Sequence, residues 1–441
     1  MTEQFDLSKI PPTYREIYSE GLNKLHPSIN LANTLNVMNV CFAAIISHKK
    51  VKLCEFSGAK PSLVTYNAVA LIPSGGGKDY MVRNIKDTLL SKIIESLSPP
   101  ICEMEEATPA GFLADCQIVN QCECGCILII MPEFGAFIEE STPTQKGFLN
   151  SIIKFFDGSG IPKRIKTEHR SAFKEVPICC FLYSDTDKVL IDKNRKYFEN
   201  LLSSGMVRRF NITAMKKMEL HYNEDYNTDL EIKKAAYYCL EQQGELLFTI
   251  FETIQPHAEY IPNDEAYKRY HEYEKENKKQ YNSLPEATDE ILKKELHNRH
   301  WKALRLAVII AALEHPEDTT ITLEDIEYAI FQTELFARDL KQFMILAPRI
   351  DVDMLYNFFL ENIGKPIPKC TLRKQRFVSA RNFSSWFKDA IEYVRQRAAI
   401  DGYELIEEPH GGPNGHSGLQ YTLIKRGRGM ITPADCTASQ F

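Results

Sequence analysis

The chain has 441 residues, of which 44% are hydrophobic and 25% charged, the composition of an ordinary globular protein. At ~100–200 residues per domain it has room for two to four domains, and its composition excludes a fibrous protein, a wholly disordered chain and a small disulfide-stapled scaffold. The net charge of −6 is uneven: residues 341–441 carry 14 Lys+Arg against 10 Asp+Glu, or +4, which leaves −10 on the first 340.

The opening MTEQFDLSKIPP lacks the basic-then-apolar pattern of a signal peptide, and no apolar run approaches the ~18–20 residues needed to span a bilayer. A cytoplasmic protein without a membrane partner is expected. The 12 cysteines sit mostly singly inside apolar stretches, where a free thiol behaves as a small hydrophobe in a reduced compartment.

Residues 1–58 read as helical, with Leu31, Leu35, Met38 and Phe42 spaced four, three and four apart and polar residues between them. Residues 59–224 alternate helical segments with short apolar runs at 63–72, 126–131 and 176–183. That is the pattern of an α/β domain with a largely parallel sheet. Residues 225–347 read as a helical domain, with a charged stretch at 265–300 and an apolar segment at 303–313. A capping-box-like start at Thr322 and Asp325 then opens a helix through 340. Residues 348–427 run helix, basic segment, helix, then two strand-like stretches around HGGPNGH at 410–416, which suggests a winged helix-turn-helix. The tail 428–441 is short on large apolar side chains and reads as flexible. Within 365–397, 9 basic residues stand against 2 acidic ones, or +7. A basic module on an acidic body suits a nucleic-acid protein, through Lys369, Arg373, Lys374, Arg376 and Arg381; a solvated helix face is the alternative.

The most informative motif is IPSGGGKD at 72–79, after the apolar strand-like VALI and before a helical segment at 80–90. Glycines there let backbone N–H groups turn inward as an anion nest at a helix start, and Lys78 is placed to reach β- and γ-phosphates. Pro73, Ser74, Gly75, Gly76, Gly77, Lys78, Asp79 and Tyr80 form the candidate nucleotide cradle. Ile72 occupies the position of the usual first glycine, and Asp79 replaces the Ser/Thr that normally meets Mg²⁺, so Asp79 becomes the candidate metal ligand. About 55 residues on, ILIIMPEFG ends an aliphatic run in Glu133, a candidate general base or water orienter, while Pro132 holds the position usually given to a metal-side acid. A site that binds ATP without hydrolysing it is the alternative.

Three weaker signals accompany it. The run FLYSDTD places Ser184 at a strand end, where a polar residue senses phosphate or water, or simply makes a turn. SSGMVRRF sets Arg208 and Arg209 after a glycine, as an arginine finger for a neighbouring subunit or as surface ion-pair partners. The loop FDGSGIPKRIKTEHR offers Lys163, Arg164, Lys166 and Arg170 for phosphate-backbone contact, or for solubility. CECGC at 122–126 alternates three thiols along one strand face without a second ligand pair, so free thiols are expected rather than zinc.

As an ordered set, PSGGGKD, ILIIMPEFG, the KFFDG…KRIKTEHR loop, FLYSDTD and SSGMVRRF resemble the helicase-like P-loop ATPase family of phages, prophages and plasmids, over roughly residues 20–340. The resemblance implies a RecA/AAA-like P-loop NTPase core that uses ATP and Mg²⁺. Lys78 would lie on the phosphates, Glu133 would be the catalytic acid, and Arg208 or Arg209 the trans-acting arginine. It further implies a hexameric motor moving single-stranded DNA through a pore, with replication proteins as partners, in the host cytoplasm if phage-encoded. A non-hydrolysing, nucleotide-gated DNA-binding loader scaffold is the rival expectation.

Overall fold

Short, almost wholly apolar runs form the central sheet, because strands buried on both faces have no solvent side to make polar. The structure is a computed structural model. It describes residues 6–98, 101–104, 109–140, 176–190, 192–215, 221, 223–284, 289–346, 350–375, 383–411 and 417–425. Two compact units divide the chain, 1–341 and 342–441. The basic loop residues Lys163, Arg164, Lys166 and Arg170 fall outside the described residues, as do Arg376 and Arg381.

The first unit is α/β. A long helix α1 (Leu31–His48) precedes β1 (Asn67–Leu71), the glycine turn and α2 (Lys78–Asn84); β2 (Cys102–Met104), β3 (Ile127–Met131), β4 (Ile178–Ser184) and β5 (Asn211–Ala214) follow. The five strands are parallel, in the order β2-β3-β4-β1-β5. The register sets Leu71 of β1 level with Ser184 of β4 and Ala214 of β5. After β1 the chain crosses to the β2 edge, whereas after β4 it passes over β1 to the β5 edge. Neighbouring strands whose outgoing chains diverge in this way open a crevice at their carboxyl ends.

The strands are narrower than the sequence suggests. The apolar run 63–72 divides into Ser62–Leu63, in a separate small sheet with Lys52–Leu53, Glu259–Pro262 and Thr320–Ile321, and β1 in the main one. β3 begins at Ile127, and Gly125, with φ +135°, turns the backbone before it. Cys122 and Cys124 therefore lie in the turn ahead of β3, not on one strand face with Cys126. Among the described residues, no group of three or more His, Cys, Asp or Glu side chains could hold a metal ion.

Helix α1 also departs from expectation. Its apolar spacing predicts a stripe with a polar back, yet every residue from Leu31 to His48 is buried. The polar residues are used inside. Asn36 Nδ2 donates to the Val69 and Asn211 carbonyls and to Thr213 Oγ1, each at 3.1 Å, and Tyr66 donates to Asn36 Oδ1 at 2.8 Å. Asn39 donates to Gln332 Oε1 at 2.9 Å, and Thr213 donates to Asn33 Oδ1 at 2.9 Å. Buried amides stay tolerable only when paired in this way. By length and composition α1 is apolar enough to cross a membrane, which corrects the expectation that no segment reaches that length; here its whole length is buried inside the protein.

Helices α3 (Tyr226–Thr253), α4 (Asp264–Ser283), α5 (Glu290–Glu314) and α6 (Leu323–Leu346) follow the sheet. Residues of α1, β1, α3, α5 and α6 share one hydrophobic core. The charged stretch divides between α4 and α5; half-buried Arg299 of α5 lies 2.7 Å from Glu295 of the same helix and 2.8 Å from Glu334 of α6. The start of α6 is a reciprocal capping box. Thr322 N–H donates to Asp325 Oδ2 at 2.7 Å, and Asp325 N–H donates to Thr322 Oγ1 at 3.3 Å.

The second unit holds α7 (Ile350–Glu361), β6 (Ile367–Pro368), α8 (Lys369–Arg373), α9 (Phe383–Ile400), β7 (Tyr403–Gly411) and β8 (Ser417–Lys425). Its sheet is antiparallel, in the order β6-β8-β7. Leu355, Phe359, Leu372, Phe387, Val394 and Leu423 form its core.

Candidate functional site

The carboxyl ends of β1, β3 and β4 bring together the groups that carry chemistry. β1 runs apolar to Ile72, whose N–H donates to the Ser184 carbonyl at 3.0 Å. The chain then turns through Pro73 to Gly77. Gly75 (φ +84°) and Gly77 (φ +73°) adopt left-handed conformations that strain any residue with a Cβ. Gly77 caps α2, whose first residue is Lys78. Asp79 and Tyr80 are exposed on the first turn.

Lys78 is 7% exposed, and its ammonium lies 2.8 Å from Glu133 Oε1. Lys188, just beyond β4, reaches the other oxygen of Glu133 at 2.9 Å. Burial works to raise the Glu133 carboxyl, but the two ammoniums outweigh it and hold the group below the usual carboxylate range. Glu133 has φ +50°, an uncommon conformation for a residue with a side chain, and one that turns the chain immediately beyond β3. Such outliers concentrate at functional sites.

Ser184 is fully buried, and its hydroxyl oxygen accepts from the Gly135 N–H at 2.9 Å. This bond ties the end of β4 to the segment after Glu133. Ser74 of the glycine turn donates to Asp185 Oδ2, and Asp185 Oδ1 accepts from the Asp187 N–H at 2.9 Å. One buried carboxylate therefore fixes both the turn and the chain leaving β4.

A Cβ added at Gly135 would stand 2.9 Å from both Ser184 Oγ and Lys188 Cβ, and 3.3 Å from the Lys188 backbone. Gly135→Ala is expected to destabilise the protein by about 1–3 kcal/mol through overpacking. A lower midpoint in urea unfolding is the check; an unchanged midpoint would mean that this junction yields freely.

No protein-family model matches the chain, and no curated protein matches it.

Of the residues singled out in the sequence, Lys78, Glu133 and Ser184 converge with the glycine turn. Arg208 and Arg209 do not. They precede β5, whose Asn211 pairs with Ala68 near the start of β1, so they lie at the amino ends of the strands, a strand length of roughly 13–16 Å from the turn. In the second unit Arg373 and Lys374 are exposed, whereas the Lys369 ammonium lies over the Phe387 ring, 4.8 Å from its centroid.

Sequence reasoning passed over Lys188, Asp185 and His26. The first two were visible as charged residues just after the apolar run of β4. His26 gave no local signal. Its Nε2 pairs with the Asn84 amide at 3.0 Å, and its Nδ1 would lie 3.4 Å from a Cβ on Gly77. Burial pulls its pKa down to about 4, so a neutral imidazole backs the glycine turn at pH 7.

The arrangement sets the backbone N–H groups of a glycine turn and a buried ammonium beside a carboxylate. A magnesium ion commonly enters with phosphates and keeps several waters, needing only one or two protein carboxylates. Asp79, the candidate metal ligand, is exposed on the first turn of α2.

Proposed function

We propose that the first unit is a P-loop ATPase core of the RecA/AAA-like kind and that the protein is an ATP-dependent, helicase-like DNA motor. One observation carries the reading. A glycine turn, a buried lysine and a carboxylate held by that lysine converge at the carboxyl ends of parallel strands β1 and β3, on either side of β4, at a point where the strand order reverses. Backbone N–H groups of the turn and Lys78 would cradle the phosphates. Glu133 would orient the attacking water, with Ser184 between the two strand ends. Arg208 and Arg209 are too remote from the turn to act on phosphates held there by their own subunit. The second unit, with its helices and antiparallel β6-β8-β7 sheet, reads as a winged helix whose Arg373 and Lys374 would meet DNA phosphates.

Hydrolysis of ATP by the full chain, measured with and without single-stranded DNA, tests this. DNA-stimulated turnover supports the motor. Tight ATP binding without turnover favours the second reading, a nucleotide-gated DNA-binding scaffold, for which Pro132 in place of a metal-side acid is the specific observation.

The metal assignment has its own expected outcome. Asp79→Ala should raise the Mg²⁺ concentration needed for half-maximal hydrolysis by ~10-fold, while ATP affinity changes by less than ~3-fold. The turn and Lys78 remain to hold the phosphates. An unchanged Mg²⁺ midpoint would reduce Asp79 to a first-turn acid facing the positive end of the helix.

A further inference from the structure

A second concave site lies at the opposite end of the same sheet. The amino ends of β1 and β5, the loop between Lys52–Leu53 and Ser62–Leu63, and α5 surround a cavity of about 640 Å³. That volume falls within the ~300–1,000 Å³ typical of small-ligand pockets. Lys60, Arg208, Arg209, Lys302 and Arg305 line it, against the single carboxylate of Glu55. Lys302 is already matched by Glu295 at 3.6 Å. Burial raises the Glu55 carboxyl, and Glu274 adds to the effect. Basic side chains outnumber acidic ones among its lining residues.

It is also aromatic. Phe56 and Trp301 line it and are 48% and 40% exposed. Each is braced by a tyrosine, Phe56 against Tyr267 at 6.2 Å and Trp301 against Tyr270 at 6.4 Å between ring centroids. Asn211, 4% exposed, also lines the cavity.

We propose that this cavity binds one nucleotide unit, with its base against Trp301 and its phosphate on Arg208 and Arg209. Cations alone would accept any anion, and aromatic faces alone any apolar group. Together they select a flat aromatic ring joined to a phosphate. Arginine forks suit phosphate oxygens, and base–aromatic stacking tolerates any base. The site is separate from the glycine turn, and the inference stands whether or not that turn takes ATP.

The chain has two tryptophans, so Trp386→Phe leaves Trp301 as the single fluorescent reporter. The full chain carrying Trp386→Phe and Lys78→Ala, the latter to silence the glycine turn, is titrated with dTMP and with an oligothymidylate of about 12 nucleotides. Saturable quenching is expected. Adding Arg208→Ala and Arg209→Ala should weaken it by ~10-fold or more, the loss of two charge-assisted contacts. Lys60→Ala, on an exposed loop, should weaken it by a few-fold without touching the fold. Quenching by dTMP and oligomer alike identifies a free nucleotide as the source; quenching by the oligomer alone identifies a strand. Absence of saturable quenching by either, or quenching indifferent to the arginine pair, overturns the proposal.

Discussion

Lys78→Ala will weaken ATP binding by ~30-fold or more and abolish measurable hydrolysis. Lys78 is a buried cation whose ammonium is held at 2.8 Å by a carboxylate. In the ATP complex that ammonium would lie on phosphate oxygens, and losing one such desolvated charge contact costs about 2–5 kcal/mol, the lower figure already corresponding to ~30-fold in affinity. Lys188→Ala is the matched control, because Lys188 holds the same carboxylate from an exposed position. It should change ATP affinity by less than ~3-fold. Titration calorimetry of both variants, with circular dichroism to verify folding, makes the comparison. Equal affinity in Lys78→Ala and wild type would remove the P-loop reading altogether.

Glu133→Gln should separate binding from turnover. Hydrolysis should fall by ~10²–10⁴-fold, the usual worth of a positioned acid or base, because an amide cannot take the water's proton. ATP affinity should hold or rise, since the Lys78 ammonium no longer has a carboxylate competing with the incoming phosphate. A pH signature accompanies this. The folded Glu133 carboxyl lies below its ordinary value, although burial alone would raise it, because Lys78 and Lys188 hold the ionised form. Its ion pairs therefore contribute stability above the usual carboxylate range, near pH 4.3, and that contribution is lost as pH falls through the depressed folded value. Urea midpoints taken from pH 6 down to pH 3 should fall less steeply in the Gln variant than in wild type. Parallel profiles would mean that the pair is too well solvated to matter, and an unchanged hydrolysis rate would remove Glu133 from the chemistry.

What could be read in advance was whatever depends on neighbours along the chain. An apolar run followed by glycines and a lysine announces a strand, a left-handed turn and a helix start, because each step obeys local backbone sterics. The Thr322–Asp325 cap is legible for the same reason. Spacing misled where a single backbone angle intervened: the alternating cysteines read as a strand face until Gly125 turned the chain short of β3. Long-range pairings left no trace in sequence. The Lys188–Glu133 pair spans 55 positions, and the aromatic cavity joins Phe56, Arg208 and Trp301. Helix α1 was misjudged for a related reason. Its asparagines mimic a solvent face, but their partners are carbonyls and side chains of strands and helices made much later.

That last arrangement constrains how the protein can be made. Helix α1 is complete by residue 48, yet Asn36 needs β5 at residues 211–214, and the core around α1 also draws on residues 303–313 of α5. At ~5–20 residues per second of synthesis, an 18-residue apolar helix waits from roughly ten seconds to about a minute for its cover. During that interval it presents to the cell the same features as a membrane-spanning segment. Nascent chains stalled before residue 211 should therefore recruit chaperones or membrane-insertion factors through α1, and completed chains should not.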